Sequence, residues 1–214
     1  MTDRSLASGL YFIADSDVLA GDRICAVTEA ALAGGVALVQ HRAKSLPLAE
    51  SQSNLDRLLE LTHRFGVALI VNDLPELAAE TGAAGVHLGQ ADVSIAQARA
   101  MLGPEAIIGA TTPTPEAARR AEAEGASYVS VGPVFASPTK PEKPAVGPER
   151  VRAVRAATSL PVCAIGGITA ENVGELAGCG VQLVAVISEI AAAEDPREAA
   201  EAMIEAMSRA GIPG

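Results

Sequence analysis

Residues 68–92 read ALIVNDLPELAAETGAAGVHLGQAD and contain two short apolar runs with a helical segment between them. The runs 68–71 and 85–88 do not alternate strictly, which is typical of parallel strands buried on both faces. The amphipathic segment 74–81 is followed by Gly82, a residue suited to the left-handed turn that closes a helix. The stretch therefore predicts one strand–helix–strand unit of an α/β fold.

The same alternation recurs along the whole chain of 214 residues. The predicted strands are 10–14, 38–40, 68–71, 85–88, 107–110, 128–131, 162–165 and 183–187. The predicted helices are 21–33, 47–65, 74–81, 94–102, 115–124, 147–157, 170–177 and 196–210. Eight such units in about 200 residues predict an α/β protein with a (β/α)8 TIM barrel as a single domain over residues 1–214.

An open, doubly wound sheet is the main alternative, because local pattern does not distinguish a closed sheet from an open one. That fold favours a glycine-rich fingerprint after its first strand. The residues at that position are Asp15-Ser16-Asp17, which contain no glycine. The barrel is therefore favoured.

Composition excludes several classes of protein. Sixteen Lys and Arg against 26 Asp and Glu give a net charge of −10, and aromatic residues make up 2%. These values argue against a nucleic-acid binder. No stretch of about 20 residues is apolar enough to span a membrane. The three cysteines have no close spacing, and residues 1–8 have no apolar signal core, so we expect a cytoplasmic protein without disulfides or zinc. The sequence leaves the oligomeric state open.

Polar residues follow the second, third and fourth strands, at the barrel end where such enzymes carry their chemistry. Gln40, Arg42 and Lys44 share period-two spacing, so an extended segment directs them the same way. Asp73 and Asp92 follow adjacent strands, where each could also simply cap a helix. Two carboxylates with few nitrogen or sulfur ligands nearby suit Mg²⁺ shared with substrate phosphates.

The later strand ends carry residues suited to phosphate. Gly166-Gly167 follows the seventh strand, and a short helix is predicted near Ser188 after the eighth, where barrels often bind phosphate. The loop 132–147 contains Ser137, Thr139 and Lys140 and has the length of a lid. His87 is interpreted as a hydrogen-bonded residue at a strand end. Together these residues predict two phosphorylated small-molecule substrates.

In order and spacing, these segments resemble the thiamine-phosphate synthase family from residue 10 to about residue 194. The resemblance rests on Gln40-His41-Arg42-Ala43-Lys44, Val71-Asn72-Asp73, 85–92, 131–135, 165–169 and Val186-Ile187-Ser188. It implies an enzyme that joins a pyrimidine carried as its methyl diphosphate to a phosphorylated hydroxyethylthiazole. It also implies Mg²⁺ as cofactor and a dissociative loss of diphosphate without a protein nucleophile.

The resemblance implies a role for each matching position. The residues for the pyrimidine and its diphosphate are Gln40, Arg42, Lys44, Asn72, Thr111 and Lys140. The residues for the thiazole phosphate are Ser137, Thr139, Gly167, Ile187 and Ser188. The neighbouring residues His41, Ala43 and Pro138 are implied to bind substrate as well. Asp73 and Asp92 are implied to bind Mg²⁺, and Arg42, Lys44 and Lys140 to act in catalysis. The sequence departs from the family at Pro113, where His is common, and at Ser137, where Thr is common.

Two other functions fit parts of the pattern. A thiazole tautomerase resembles this family but moves a proton, and it would not need the pair Asp73 and Asp92. A non-catalytic regulator on the same barrel would bind phosphorylated ligands without releasing pyrophosphate. The pair Asp73 and Asp92 weighs against the tautomerase. The regulator is opposed by the intact set Gln40, Arg42, Lys44, Asp73, Asp92 and Lys140.

Overall fold

A computed structural model describes residues 6–136 and 144–214. Eight parallel strands form a closed barrel in chain order. The strands are β1 (Gly9–Asp15), β2 (Leu38–Arg42), β3 (Ala68–Asn72), β4 (Gly85–Leu88), β5 (Ile107–Thr111), β6 (Tyr128–Val131), β7 (Val162–Ile165) and β8 (Leu183–Val186). Pairing of β1 with β8, from Gly9 opposite Leu183 to Phe12 opposite Val186, closes the sheet. The predicted barrel is confirmed, and the open sheet is excluded.

Helices follow the strands on the outside of the barrel. They are α1 (Arg23–Ala33), α2 (Leu48–Phe65), α3 (Pro75–Thr81), α4 (Ile95–Leu102), α5 (Pro115–Ala123), α6 (Gly147–Arg155), α7 (Ser188–Ala191) and α8 (Pro196–Arg209). Within residues 6–136 and 144–214, no helix combines the length and the apolarity that crossing a bilayer requires.

The predicted helix 170–177 is wrong. The structure has only a 3-10 helix there, Val173–Leu176. Gly174 and Gly178 interrupt or end the segment, and glycine is a poor helix former, so an α-helix has little support. The eighth strand also ends one residue earlier than predicted, and α7 begins at Ser188, as the phosphate-site pattern predicts.

Local signals set most helix ends. The hydroxyl of Ser94 accepts from the Gln97 backbone N–H at 3.2 Å, while the Gln97 side chain accepts from the Ser94 N–H, which forms a capping box. Gly66 ends α2 with a φ of +70°, a left-handed conformation that glycine adopts at little cost. Gly66 therefore ends α2 where the chain turns back into β3.

Alternate strand residues build two separate apolar layers. On β1, Tyr11 and Ile13 point into the barrel lumen, while Leu10, Phe12 and Ala14 pack in the layer between strands and helices. Both layers are buried, which explains the continuous apolar runs in the sequence.

Candidate active site

A cavity of about 430 Å³ opens at the carboxyl ends of the strands. Its size falls within the range of small-molecule sites, and this is the end where barrel enzymes act. The wall includes ten residues singled out from the sequence, namely Gln40, Arg42, Lys44, Asn72, Asp73, Asp92, Thr111, Gly167, Ile187 and Ser188.

Some predicted residues lie elsewhere. His41 is buried and faces away from the cavity, with its Nε2 atom 3.4 Å from the Ser16 hydroxyl. Burial lowers the pKa of His41 to about 4. Ala43 is not in the cavity wall, and neither is Pro113, whose carbonyl accepts from Arg150 at 3.0 Å. Outside the described residues lie Ser137, Pro138, Thr139 and Lys140.

Arg42 is held by two carboxylates that the sequence pattern did not single out. Its Nη1 atom donates to Asp15 Oδ2 at 2.5 Å and to Asp17 Oδ2 at 3.4 Å. The register of β1 and β2 places Asp15 opposite Arg42, and the Asp15 side chain is only 2% exposed. The contact between Asp15 and Arg42 depends on the register of β1 and β2, which the sequence pattern does not give. The guanidinium is therefore oriented before any ligand arrives.

Lys44, Asp73 and Asp92 form the next group along the rim. Lys44 Nζ lies 3.0 Å from Asp73 Oδ2, and Asp92 Oδ2 accepts from the Gly89 N–H at 2.6 Å. Partial burial raises the pKa of Asp92, and the neighbouring Asp73 carboxylate raises it further. Neither aspartate caps a helix, because α3 has no side-chain cap and α4 is capped by Ser94. We call Asp15, Asp17, Arg42, Lys44, Asp73 and Asp92 the charged side.

The backbone at Asp73 is strained. Among the described non-glycine residues, only Asp73 has a positive φ, at 65°. Its N–H donates to the His87 carbonyl at 2.9 Å, which extends the contact between the ends of β3 and β4. Such a conformation costs about 1 kcal/mol or more for a residue with a side chain and is found most often at functional sites. Here it directs the carboxylate towards Lys44 and Asp92.

The opposite wall, formed by the ends of β6, β7 and β8, is different. We call its lining residues the uncharged side: Gly132, Pro133, Ile165, Gly166, Gly167, Ile168, Ile187 and Ser188. Both central glycines have positive φ, at 97° for Gly166 and 65° for Gly167. A Cβ on Gly167 would lie 2.4 Å from the Ala136 carbonyl oxygen, and one on Gly166 would lie 2.6 Å from Pro133. The packing of two loops therefore requires both glycines, while the exposure of their backbone N–H groups to a phosphate stays a prediction.

The floor of the cavity is a hydrogen-bonded cluster. His87 Nδ1 lies 2.9 Å from Tyr128 Oη, and its Nε2 lies 3.1 Å from Thr111 Oγ1. Burial lowers the pKa of His87 to about 4, so the imidazole is neutral near pH 7. The interpretation of His87 as a hydrogen-bonded residue is confirmed, although it also lines the cavity. The sequence pattern did not single out Tyr11, Tyr128 and Ser130, because they lie within predicted strands rather than at the carboxyl ends of the strands.

Two carboxylates are available for a divalent cation. Asp73 Oδ2 lies 3.0 Å from Lys44 Nζ and Asp92 Oδ2 accepts from the Gly89 N–H, and the Asp73 carboxylate lies close enough to Asp92 to raise its pKa. Over the described ranges, no group of three or more His, Cys, Asp or Glu residues is arranged to hold a metal. Mg²⁺ commonly binds to one or two carboxylates and completes its shell with water and substrate phosphates. The donor set fits that mode of binding.

A closed (β/α)8 barrel with a cavity at the carboxyl ends of its strands, lined in part by charged and polar side chains, defines the class of barrel enzymes. A family model described as "Thiamine monophosphate synthase" matches residues 10–190. The chain belongs to this family, which makes it a transferase of thiamine biosynthesis.

Individual relatives agree with this assignment. The chain is 43% identical over 202 residues to a thiamine-phosphate synthase of Natronomonas pharaonis, covering 93% of this chain and 94% of the relative. It is 46% identical over 195 residues to one of Methylococcus capsulatus, covering 91% and 87%. Among solved structures, a thiamine phosphate pyrophosphorylase from Pyrococcus furiosus superposes with a TM-score of 0.86 at 32% identity, covering 97% and 98%.

Proposed function

We propose that the chain joins 4-amino-2-methyl-5-(diphosphomethyl)pyrimidine to 4-methyl-5-(2-phosphoethyl)thiazole, giving thiamine phosphate and pyrophosphate. Family membership supports the reaction class. The observation that carries the proposal is the division of one cavity into a charged side, with two cations and the neighbouring carboxylates Asp73 and Asp92, and an uncharged side built on glycines. The first suits a diphosphate with its cation, and the second suits a single phosphate.

In the proposed reaction the bond between the pyrimidine methylene carbon and the diphosphate oxygen breaks first. The electron pair leaves with the diphosphate, and the thiazole nitrogen then donates its lone pair to the methylene cation. No proton has to be removed, so no protein base or nucleophile is required. Catalysis then depends on positioning the two rings and stabilising the charge of the leaving group.

Asp73 and Asp92 would hold Mg²⁺ in this scheme. When bound, Mg²⁺ supplies positive charge to the oxygens of the diphosphate. The described charged side has four carboxylates against two cations, so by itself it repels an anion. This balance supports a requirement for a divalent cation together with the diphosphate.

Arg42 and Lys44 are proposed to contact the diphosphate directly. Their carboxylate partners, Asp15 and Asp73, fix both side chains near the rim of the cavity before binding. A guanidinium held in a fixed plane loses little conformational entropy when it binds a phosphate oxygen pair. The family resemblance adds Lys140 as a third cation in the same role. Gly167, Ile187 and Ser188 are proposed to bind the phosphate of the thiazole.

The direct test is pyrophosphate release by the purified protein. We expect release when both substrates and Mg²⁺ are present, and almost none when either substrate is left out or when a chelator removes the cation. Binding of both substrates without pyrophosphate release would instead identify a regulator. Conversion between thiazole tautomers without any use of the pyrimidine would identify a tautomerase.

A further inference from the structure

A chain of hydrogen bonds crosses the floor of the cavity between residues far apart in sequence. Gln40 Nε2 donates to Tyr11 Oη at 2.6 Å, and Tyr11 Oη lies 3.1 Å from Tyr128 Oη. Tyr128 Oη lies 2.9 Å from His87 Nδ1, and His87 Nε2 lies 3.1 Å from Thr111 Oγ1. Four of these five residues line the cavity. The exception is Tyr128, which is fully buried and absent from the cavity wall.

The number of protons available gives this chain a direction. Each hydroxyl has one proton to donate. Tyr11 Oη accepts from Gln40, and its one other side-chain partner among the described residues is Tyr128 Oη, so the buried Tyr11 proton is directed to Tyr128 and the Tyr128 proton to His87 Nδ1. The imidazole therefore carries its proton on Nε2, which lies 3.1 Å from Thr111 Oγ1 and 3.4 Å from Ser130 Oγ and donates to the nearer hydroxyl, that of Thr111. Each link depends on the one before it.

The direction decides what the cavity presents to a ligand. Gln40 uses its amide nitrogen on Tyr11, and no described residue donates to its Oε1 atom, so this oxygen is the acceptor left for a ligand. Thr111 accepts from His87 and keeps its own hydroxyl proton as a donor. A ligand that donates at the Gln40 end and accepts at the Thr111 end matches this arrangement.

Packing holds the central phenol in place. The Tyr128 ring stacks on the His87 ring at 5.5 Å between centroids and meets the Tyr11 ring edge-on at 6.2 Å. Gly109 makes room for it, since a Cβ there would lie 2.1 Å from Tyr128 Cζ. The hydroxyl of Tyr128 therefore has little freedom to find other partners.

We propose that Tyr11 and Tyr128 are positioning residues that keep the Gln40 amide oxygen directed into the cavity, and so select a ring bearing an amino group over one bearing a carbonyl at that position. This inference rests on the proposed function, which supplies an aminopyrimidine as the ligand. Its amino group donates to Gln40 Oε1, and a ring nitrogen accepts from Thr111. A 4-oxo pyrimidine would place an acceptor against the Gln40 oxygen.

Removing the Tyr128 hydroxyl should weaken the preference for the amino compound, although Tyr128 itself does not line the cavity. In Tyr128→Phe, the Tyr11 proton loses its acceptor and is free to be donated to Gln40 instead. The amide can then turn its oxygen to Tyr11 and its nitrogen to the ligand. The oxo compound would gain a donor, while the amino compound would lose its fixed acceptor.

The experiment measures binding of the 4-amino pyrimidine diphosphate and its 4-oxo counterpart by calorimetry, with Mg²⁺ and without the thiazole. We expect the wild-type protein to bind the amino compound at least about 10²-fold more tightly, because a site built around a hydrogen bond strongly rejects a mismatched group. In Tyr128→Phe this ratio should fall about tenfold, the value of one hydrogen bond. Tyr11→Phe should lower the ratio by a similar factor. If Tyr128→Phe does not fold, the ratio measured for Tyr11→Phe is the test of the proposal.

Two controls separate positioning from general damage. Inorganic pyrophosphate, which has no ring, should bind equally to wild type and to both variants. Thr62→Val removes a buried hydroxyl in α2, remote from the cavity, and should leave the amino-to-oxo ratio unchanged.

A wild-type protein that makes thiamine phosphate, with both tyrosine variants keeping its amino-to-oxo ratio within twofold, would overturn this inference alone. Equal weakening of pyrophosphate and pyrimidine binding would also overturn it, since that is the result of a purely structural role. A wild-type protein that neither binds nor uses the aminopyrimidine diphosphate would overturn the proposed function and this inference together.

Discussion

The charged side and the uncharged side of the cavity are built on opposite principles, although both lie at the ends of similar strands. On the charged side, Arg42 and Lys44 are each paired with a carboxylate, at 2.5 Å and 3.0 Å. On the uncharged side, the described wall has no charged side chain, and glycines bring two loops into close contact. Ion pairs hold the side chains in place on the charged side, whereas close packing of two loops holds the backbone in place on the uncharged side.

This difference predicts how each side responds to mutation. A substitution on the charged side changes the charge balance and should alter cation and diphosphate use with little effect on folding. A substitution on the uncharged side moves the backbone and should affect stability as well as binding.

The largest effect is expected from Asp73→Asn and Asp92→Asn. Each should lower kcat by about 10² or more and raise the Mg²⁺ concentration needed for half-maximal rate, because a charge-stabilising group is lost. Asn tolerates positive φ, so Asp73→Asn should fold normally. Pyrophosphate release at several Mg²⁺ concentrations measures both quantities.

The matched control is Asp56→Asn, the same chemical change on the exposed surface of α2. It should leave rate and Mg²⁺ dependence at wild-type values. If Asp73→Asn and Asp92→Asn also keep wild-type Mg²⁺ dependence, the assignment of the metal to the charged side is wrong.

On the uncharged side, Gly167→Ala should destabilise the protein by about 2–3 kcal/mol, because a Cβ would meet the Ala136 carbonyl oxygen at 2.4 Å in a left-handed conformation. The KM for the thiazole phosphate should rise. Urea unfolding and steady-state kinetics give the two values.

Gly82→Ala separates the contact from the backbone conformation. Gly82 has a φ of +74°, yet a Cβ there would meet nothing within 4 Å. This variant should cost only about 1 kcal/mol, the price of the left-handed conformation alone. Equal stability of the two alanine variants would show that the loop contact at Gly167 is unimportant.

A third prediction concerns the histidine buried behind the charged side. The pKa of His41 is about 4 in the folded protein, below its ordinary value of 6.5. As pH falls through 6.5 the unfolded chain takes up the proton first, so stability is lost progressively between about pH 6.5 and pH 4. Between pH 7.5 and pH 5 this residue should account for about 2 kcal/mol of the loss.

His41→Gln should reduce that pH dependence, measured as the free energy of unfolding in urea at both pH values. His63→Gln is the control, because His63 is exposed on α2 and should leave the pH dependence unchanged. The hypothesis is contradicted if the two variants lose stability equally on acidification.

The smallest effect should come from the strained backbone at Asp73. Asp73→Gly and Asp73→Ala both remove the carboxylate, and both should lose Mg²⁺-dependent turnover. Only glycine relieves the φ of 65°, so Asp73→Gly should be more stable than Asp73→Ala by about 1 kcal/mol. Thermal unfolding of the two proteins checks this, and a more stable alanine variant would show that the conformation is not strained.

The local sequence was sufficient for the strands and for the residues at their ends. Buried parallel strands need apolar side chains on both faces, and each turn back needs a glycine or a capping residue, so both leave a local signal. Period-two spacing likewise predicts that Gln40, Arg42 and Lys44 share a face, and all three line the cavity. The predicted helix 170–177 is wrong because Gly174 lies within it and the segment forms only a 3-10 helix.

Only the tertiary structure decided which distant groups meet. Asp15 holds Arg42 because β1 and β2 pair in one register, and Tyr11 reaches Tyr128 across 117 residues because the barrel closes. Gly167 must be glycine because another loop passes over it. A hydrogen bond or a close contact is short-ranged, so its partners are set by strand order and register, and neither quantity is written in any single stretch of the chain.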